Sequence, residues 1–214
     1  MVGDKESEPM KVGILAVQGD FEAHAEMLAR LGVEHRLVFK PADLEGCEAL
    51  ILPGGESTTQ LQFLQEEGVF DRITQFAGRG GAIFGTCAGA ILLAREVRNP
   101  SQPSLGMLDI TVTRNAYGRQ LASAVKWGTT KLKKEPLEMV FIRAPIIERV
   151  GTGVEVLAES QGRPVLVRHG RLMAATFHPE LTDDSTVHAE FLKLAGSTES
   201  LLANRRTASE VVST

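Results

Sequence analysis

Cys87 stands between two glycines, at the point where one kind of sequence gives way to another. In Ala82-Ile83-Phe84-Gly85-Thr86-Cys87-Ala88-Gly89-Ala90-Ile91-Leu92-Leu93 an apolar run suited to a buried strand meets Gly-x-Cys-x-Gly and then a helix-like run. A sharp strand-to-helix turn of this kind presents a nucleophile above the edge of a sheet. Gly85 and Gly89 flank the cysteine at two residues' distance, where any side chain is expected to collide with the turn. The following helix is expected to aim its N-terminus at the sulfur, favouring thiolate over thiol, and to offer the Ala88 backbone N–H to a developing oxyanion. A thiol nucleophile needs a base, and the base needs an orienting carboxylate. Phe177-His178-Pro179-Glu180 supplies both at the end of an apolar run. In extended chain, residues i and i+2 point to one side, so His178 and Glu180 are expected to lie together with Pro179 stiffening the link. Leu52-Pro53-Gly54-Gly55-Glu56-Ser57 is the third such segment. Its two glycines let backbone N–H groups approach a ligand, the plainer alternative being a turn capped by Ser57. Together these residue types describe attack of a thiol on a carbonyl carbon, with an imidazole moving the proton.

The elements that must position them alternate. Lys11 to Val17 is a continuous apolar run, as in a strand buried on both faces. Phe21, Ala25, Leu28 and Leu31 recur at helical spacing, with Gly32 as the stop. Strands are predicted at His35 to Phe39, Ala49 to Leu52 and Gly81 to Phe84. Two helical segments broken at Gly68 lie between the last two, and a helix is expected over Ala88 to Val97. Such alternation implies a parallel sheet covered on both faces. The second half is strand-rich: Ile110 to Arg114, Met139 to Arg143, Val154 to Ser160, Pro164 to His169 and Leu172 to Phe177, with a hairpin around residues 168–171. A last helix over Ser185 to Leu194 is expected to start at a Ser cap and to place Val187, Phe191 and Leu194 on one face. The whole reads as one α/β domain over residues 10–195. Residues 1–9 and 196–214, polar and without apolar periodicity, are expected to be disordered extensions.

Composition removes several function classes. The 23 basic and 27 acidic residues leave a net charge of −4, against a nucleic-acid binder; Trp127 and Tyr117, alone of their types, build no stacking platform. Two cysteines make neither a disulfide framework nor a paired zinc site, and free thiols in a reducing compartment are expected. No segment approaches the roughly 18 apolar residues of a membrane span, and the acidic start is unlike a signal peptide, so the expectation is a cytoplasmic protein. His24, His35, His169 and His188 are scattered without metal-ligand spacing and read as surface or core residues. Cys47 lacks a neighbouring base and reads as structural. No metal or cofactor is expected.

On these segments the chain resembles the class I (triad) glutamine amidotransferases, and among them the glutaminase subunits of two-component pyridoxal 5′-phosphate synthases. The closer resemblance rests on residues 12–20, 53–59 and 85–89, on Arg114-Asn115-Ala116-Tyr117-Gly118-Arg119-Gln120, on residues 141–145 and on Phe177-His178-Pro179-Glu180-Leu181. It implies a flavodoxin-like, three-layer open sheet, mostly parallel with an antiparallel extension and helices on both faces. It also implies that Cys87 attacks the side-chain amide of L-glutamine, that His178 is base and then acid, and that Glu180 orients His178. By the same resemblance Gly55, Glu56, Ser57, Arg114, Ile142 and Arg143 hold the substrate, with Gly55 and Ala88 forming the oxyanion hole. Arginine suits the α-carboxylate of free glutamine because a guanidinium binds it through two parallel hydrogen bonds. The implied partner is a (β/α)₈ pyridoxal 5′-phosphate synthase subunit in a hetero-oligomer. It receives the ammonia and joins it with a pentose phosphate and a triose phosphate, and Gln18, Gly19 and Asp20 form the loop facing it. Two other readings share the triad residues: a glutaminase subunit of another complex, such as imidazole glycerol phosphate synthase, and a non-catalytic binding module on the same fold.

Overall fold

The structure, a computed structural model, describes residues 10–114 and 123–196. The expected extension 1–9, residues 197–214 of the expected tail, and Asn115 to Gln120 lie outside the described residues.

Strands β1 (Lys11–Leu15), β2 (Glu34–Val38), β3 (Ala49–Leu52), β4 (Ala82–Thr86) and β12 (Leu172–Ala175) make the parallel half of a nine-stranded sheet, in the order β2-β1-β3-β4-β12. That order is the doubly wound flavodoxin pattern. From β12 the sheet continues antiparallel through β11 (Arg163–His169), β10 (Glu155–Ser160), β7 (Ser123–Thr130) and β8 (Leu137–Ile142). A separate three-stranded sheet pairs β5 (Ala94–Arg98) with β6 (Leu108–Thr113) and β9 (Ile146–Val150).

Alternation along each central strand explains the two cores. Leu50, Leu52 and Ile83 face one side with α2 (Ser57–Glu66), α3 (Val69–Gly78), α4 (Ala88–Leu93) and the small sheet. Ala49, Ile51, Ala82 and Phe84 face the other with α1 (Phe21–Arg30) and α5 (Thr186–Gly196). Residues buried on both faces require the near-continuous apolar runs seen in β3 and β4. Phe84, Phe177 and Phe191 are completely buried on the α1/α5 side, each worth roughly 1.5–3 kcal/mol relative to exposure.

Several expectations change. The helix after Cys87 stops at Leu93, and residues 94–98 form β5. Here Ala94 and Val97 are buried while Arg95, Glu96 and Arg98 are exposed, so pairing with β6 outweighs helical continuation. Strands β7 and β9 were not expected. In β7 the large apolar residues Val125 and Trp127 point outward, 60% and 66% exposed, which hides the usual inward apolar signature. The start of α5 is held by the Asp184 carboxylate, which accepts from Thr186 N at 2.9 Å, and not by a Ser185 side chain. Its inward face is Val187, His188, Phe191 and Ala195, with Leu194 only partly buried.

Candidate active site

Four chain segments leave the C-terminal ends of the parallel strands and meet in one place: residues 18–20 after β1, 53–57 after β3, Cys87 after β4 and residues 177–180 after β12. That edge of an open α/β sheet is where ligands bind.

Cys87 has φ +47° and ψ −100°, a strained conformation for a non-glycine residue, and α4 starts at its neighbour Ala88. The flanking glycines are sterically required. A Cβ on Gly89 would strike the Leu52 carbonyl, and one on Gly85 would meet the Gly89 backbone at 2.5 Å. Strand pairing fixes the turn from the other side, with Cys87 N donating to Ala175 O at 2.8 Å. The Cys87 thiol points to the Ile142 carbonyl at 3.8 Å and is 7% exposed.

His178 lies beside it because β12 is the neighbour of β4 in the sheet. Residues 179–181 form a 3₁₀ turn, so His178 and Glu180 meet around a tight helical turn and not along the extended chain expected from their spacing. His178 N donates to Val140 O at 2.8 Å, and Gly54 leaves the space that the imidazole fills, since a Cβ there would strike the ring. Nδ1 is 2.8 Å from Glu180 Oε1 and 3.2 Å from Asp20 Oδ2. Carboxylates only accept, so the proton sits on Nδ1 and Nε2 is left for the thiol. Nε2 is buried and makes no aligned hydrogen bond, while the Cys87 sulfur acts on the ring as a neighbour. Nucleophile–base hydrogen bonds are often loose in the absence of substrate.

Burial alone pulls the His178 pKa down. The Cys87 sulfur and the Glu180 carboxylate more than offset this and raise it to about 10. Burial pushes the Glu180 carboxyl above the usual range, the His178 ring pulls it back, and the Asp20 charge adds to the rise. Asp20, His178 and Glu180 also bring three potential metal-ligand atoms within 4.8 Å. Both carboxylates face one N–H, Glu180 through a hydrogen bond and Asp20 through an ion-pair contact, and this accounts for the arrangement.

The cleft above Cys87 has a volume of about 310 Å³ and is lined by Gly19, Asp20, Gly55, Glu56, Ser57, Cys87, Arg114, Ile142, Arg143 and His178, with Ile91 and Pro145. Gln18, Ala88 and Glu180 are not part of that lining. Glu180 is buried behind His178, and Gln18 Oε1 accepts from Glu56 N at 3.1 Å, tying the first loop to the second. Glu56 itself caps α2, accepting from Thr58 N at 3.2 Å and Thr59 N at 2.8 Å, which is the role the sequence suggested for Ser57. Its desolvation is outweighed by these bonds, and its pKa falls below the usual carboxylate range. Arg114 reaches Glu56 at 3.3 Å and Thr58 at 3.2 Å and also bonds Gln102. Arg143 has φ +45° and is exposed.

Three side chains at the site lay outside the sequence expectations. Gln60 is fully buried and donates through Nε2 to the carbonyls of Gln18, Pro53 and Gly54 at 3.2–3.4 Å, bracing two loops at once. Its position on the inner face of α2, one turn after the glycine pair, was the available signal. His24 and His188, read as surface or core residues, are completely buried; His24 stands directly behind Glu180 and His188 behind His24. His24 follows Asp20 by one helical turn, a spacing that could have pointed to it.

Comparison with known proteins finds relatives over most of the chain. The chain is 54% identical over 185 residues to the pyridoxal 5′-phosphate synthase subunit PdxT of Koribacter versatilis, covering 86% of this chain and 95% of that one. It is 52% identical over 190 residues to PdxT of Thermus thermophilus, covering 86% and 97%. A crystal structure of a glutamine amidotransferase superposes with a TM-score of 0.82 at 50% identity, covering 86% of this chain and 98% of that one. Residues 14–195, which carry the elbow, the cleft and the His178 turn, match the model of the SNO glutamine amidotransferase family, and the chain belongs to that family.

Proposed function

We propose that this chain is the glutaminase subunit of a two-component pyridoxal 5′-phosphate synthase. It hydrolyses L-glutamine to L-glutamate and ammonia and delivers the ammonia to a (β/α)₈ synthase subunit in a hetero-oligomer. The observation that carries the chemistry is the strained Cys87 elbow facing a buried His178 whose Nδ1–H is held by Glu180 at 2.8 Å. Relatives named as subunits of that synthase, about half identical over most of both chains, support the pathway.

In this reading Cys87 gives its thiol proton to His178 Nε2, and Sγ attacks the side-chain amide carbon and forms a carbon–sulfur bond. The carbonyl electrons move onto oxygen, toward the backbone N–H groups of Gly55 and Ala88. His178 gives a proton to the departing nitrogen, the carbon–nitrogen bond breaks, and ammonia leaves a thioester on Cys87. Water then attacks the thioester with His178 as base. Glutamate departs and the thiol is restored, so one water is consumed per ammonia released. Glu180 keeps the ring in one tautomer and stabilises its cationic form. Arg114 and Arg143, at the rim, suit the substrate α-carboxylate, with Glu56 holding Arg114 in place. Ser57 and Ile142 complete the wall.

Gln18, Gly19 and Asp20 connect the cleft to the surface, and docking of the synthase orders them for catalysis in this reading. Glutamate release is therefore expected to rise when the cognate synthase is added, and to vanish in Cys87→Ala. Equal turnover with and without the synthase overturns the docking role, and undiminished hydrolysis by Cys87→Ala overturns the nucleophile.

A further inference from the structure

Glu180 Oε1 is committed to His178, but its second oxygen, Oε2, is buried and has no close hydrogen-bond partner among the described residues. What faces it, at 3.5 Å, is His24 Nε2. The same nitrogen is 3.1 Å from Thr86 Oγ1, on the residue that precedes the nucleophile, and His24 Nδ1 is 2.9 Å from His188 Nε2. A chain of buried side chains thus runs from α5 through α1 to the carboxylate behind the base, spanning residues 164 apart in sequence. Phe84 closes it with its ring edge-on to both imidazoles, at 6.3 Å from His24 and 5.8 Å from His188.

Chemistry selects one proton arrangement. His188 Nδ1 is buried and unpartnered, which is less costly for a bare lone pair than for an N–H. His188 therefore carries its proton on Nε2 and donates it to His24 Nδ1. His24 is then left with its own proton on Nε2, aimed between Thr86 Oγ1 and Glu180 Oε2. The opposite tautomer would set a lone pair against the carboxylate and strand an N–H in the core. Both imidazoles remain neutral in this setting. Burial holds His24 well below its ordinary pKa, with the neighbouring His188 and His178 adding to that. Burial, with a small contribution from Arg30, lowers His188 to about 4.

We propose that His24, backed by His188, is a positioning residue for the proposed glutaminase reaction: its Nε2–H steadies the buried Glu180 carboxylate and thereby the His178 base. The inference rests on the glutaminase reading. Other charged or titratable groups facing this cluster are Asp20 and Cys87 at His178, and Arg30 behind His188. The Glu180 backbone N–H also acts on its own carboxyl, yet Oε2 is left without a hydrogen-bond partner among the described residues.

The test compares His24→Leu, which removes the donor, with His24→Gln, which restores an N–H near the position of Nε2. Each is assayed as the full chain with its cognate synthase. The His178 ring is titrated separately by ¹⁵N NMR in the chain alone, which needs no turnover. In His24→Leu, kcat is expected to fall roughly ten- to a hundredfold, the worth of one hydrogen bond to a charged group. The KM for glutamine should stay within about twofold, since His24 does not reach the cleft. The His178 titration should move to lower pH, and His24→Gln should recover most of kcat and of the titration. An unmoved His178 titration in His24→Leu overturns the proposal, as does failure of Gln to restore it. If the parent complex itself releases no glutamate, the glutaminase reading falls while the NMR arm still decides the role of His24. Should His24→Leu not fold, His188→Phe, which removes the proton given to His24, carries the same expectations.

Discussion

Replacing Glu180 by glutamine keeps the side-chain shape, removes its charge and turns one acceptor oxygen into an NH2 donor. The bond at stake is the 2.8 Å contact from His178 Nδ1, between two side chains almost fully removed from solvent. A hydrogen bond to a charged group contributes roughly 1.5–3 kcal/mol, or about ten- to 150-fold in rate. Asp20 remains 3.2 Å from the same nitrogen, but its side chain is 39% exposed and its field is screened by water. It should recover part of the loss, which places the expected fall in kcat/KM near thirtyfold, with KM little changed because Glu180 lies outside the cleft. The His178 pKa, raised to about 10, should drop by at least about one pH unit, since each unit is worth about 1.4 kcal/mol. Removing Asp20 as well (Asp20→Asn with Glu180→Gln) should lower both quantities further. The assay is glutamate release by the complex with its synthase from pH 6 to 10, paired with NMR titration of the ring. A Glu180→Gln chain within twofold of the parent, with an unmoved titration, would refute this account of how the base is held.

Two further outcomes are expected. His188 has its folded-state pKa depressed from 6.5 to about 4, so its stabilising contribution is present above pH 6.5 and is lost as the pH falls through about 4. Urea unfolding at pH 7 and pH 4.5 should therefore show roughly 2–3 kcal/mol less acid destabilisation in His188→Phe than in the parent, and equal losses would contradict it. Arg114→Lys keeps the charge but loses the planar fork that now spans Glu56, Thr58 and Gln102. Steady-state kinetics should give a KM for glutamine about tenfold higher with kcat within twofold, and an unchanged KM would take Arg114 out of substrate binding.

The parts of the site legible in the sequence were those set by local sterics. Gly85 and Gly89 announce the elbow because backbone from β3 and α4 passes too close for a Cβ. The His178–Glu180 pair was legible as a pair but not as a shape: Pro179 starts a 3₁₀ turn, which brings the two side chains together by another route. Strand β7 escaped because its inward positions hold Ala124, Lys126 and Gly128 while Val125 and Trp127 face out. The helix over residues 88–97 was overextended because Val97 continues an apolar spacing whose burial is supplied by β6. For His24 the one-turn spacing from Asp20 was a faint signal, whereas His188 gained a role only when tertiary structure set it 2.9 Å from His24.

The placing of β12 has a consequence for how the molecule is assembled. Among the described residues it is the last strand in sequence, yet it fills the middle of the sheet, with β4 on one side and β11 on the other. Until residues 172–175 emerge from synthesis, β4 keeps an open hydrogen-bonding edge that invites pairing with other chains. The His178 imidazole follows directly after that same strand, so in the proposed reaction a nascent chain holds its nucleophile long before its base. Insertion of one four-residue strand therefore seals the sheet and brings His178 to Cys87 in a single event.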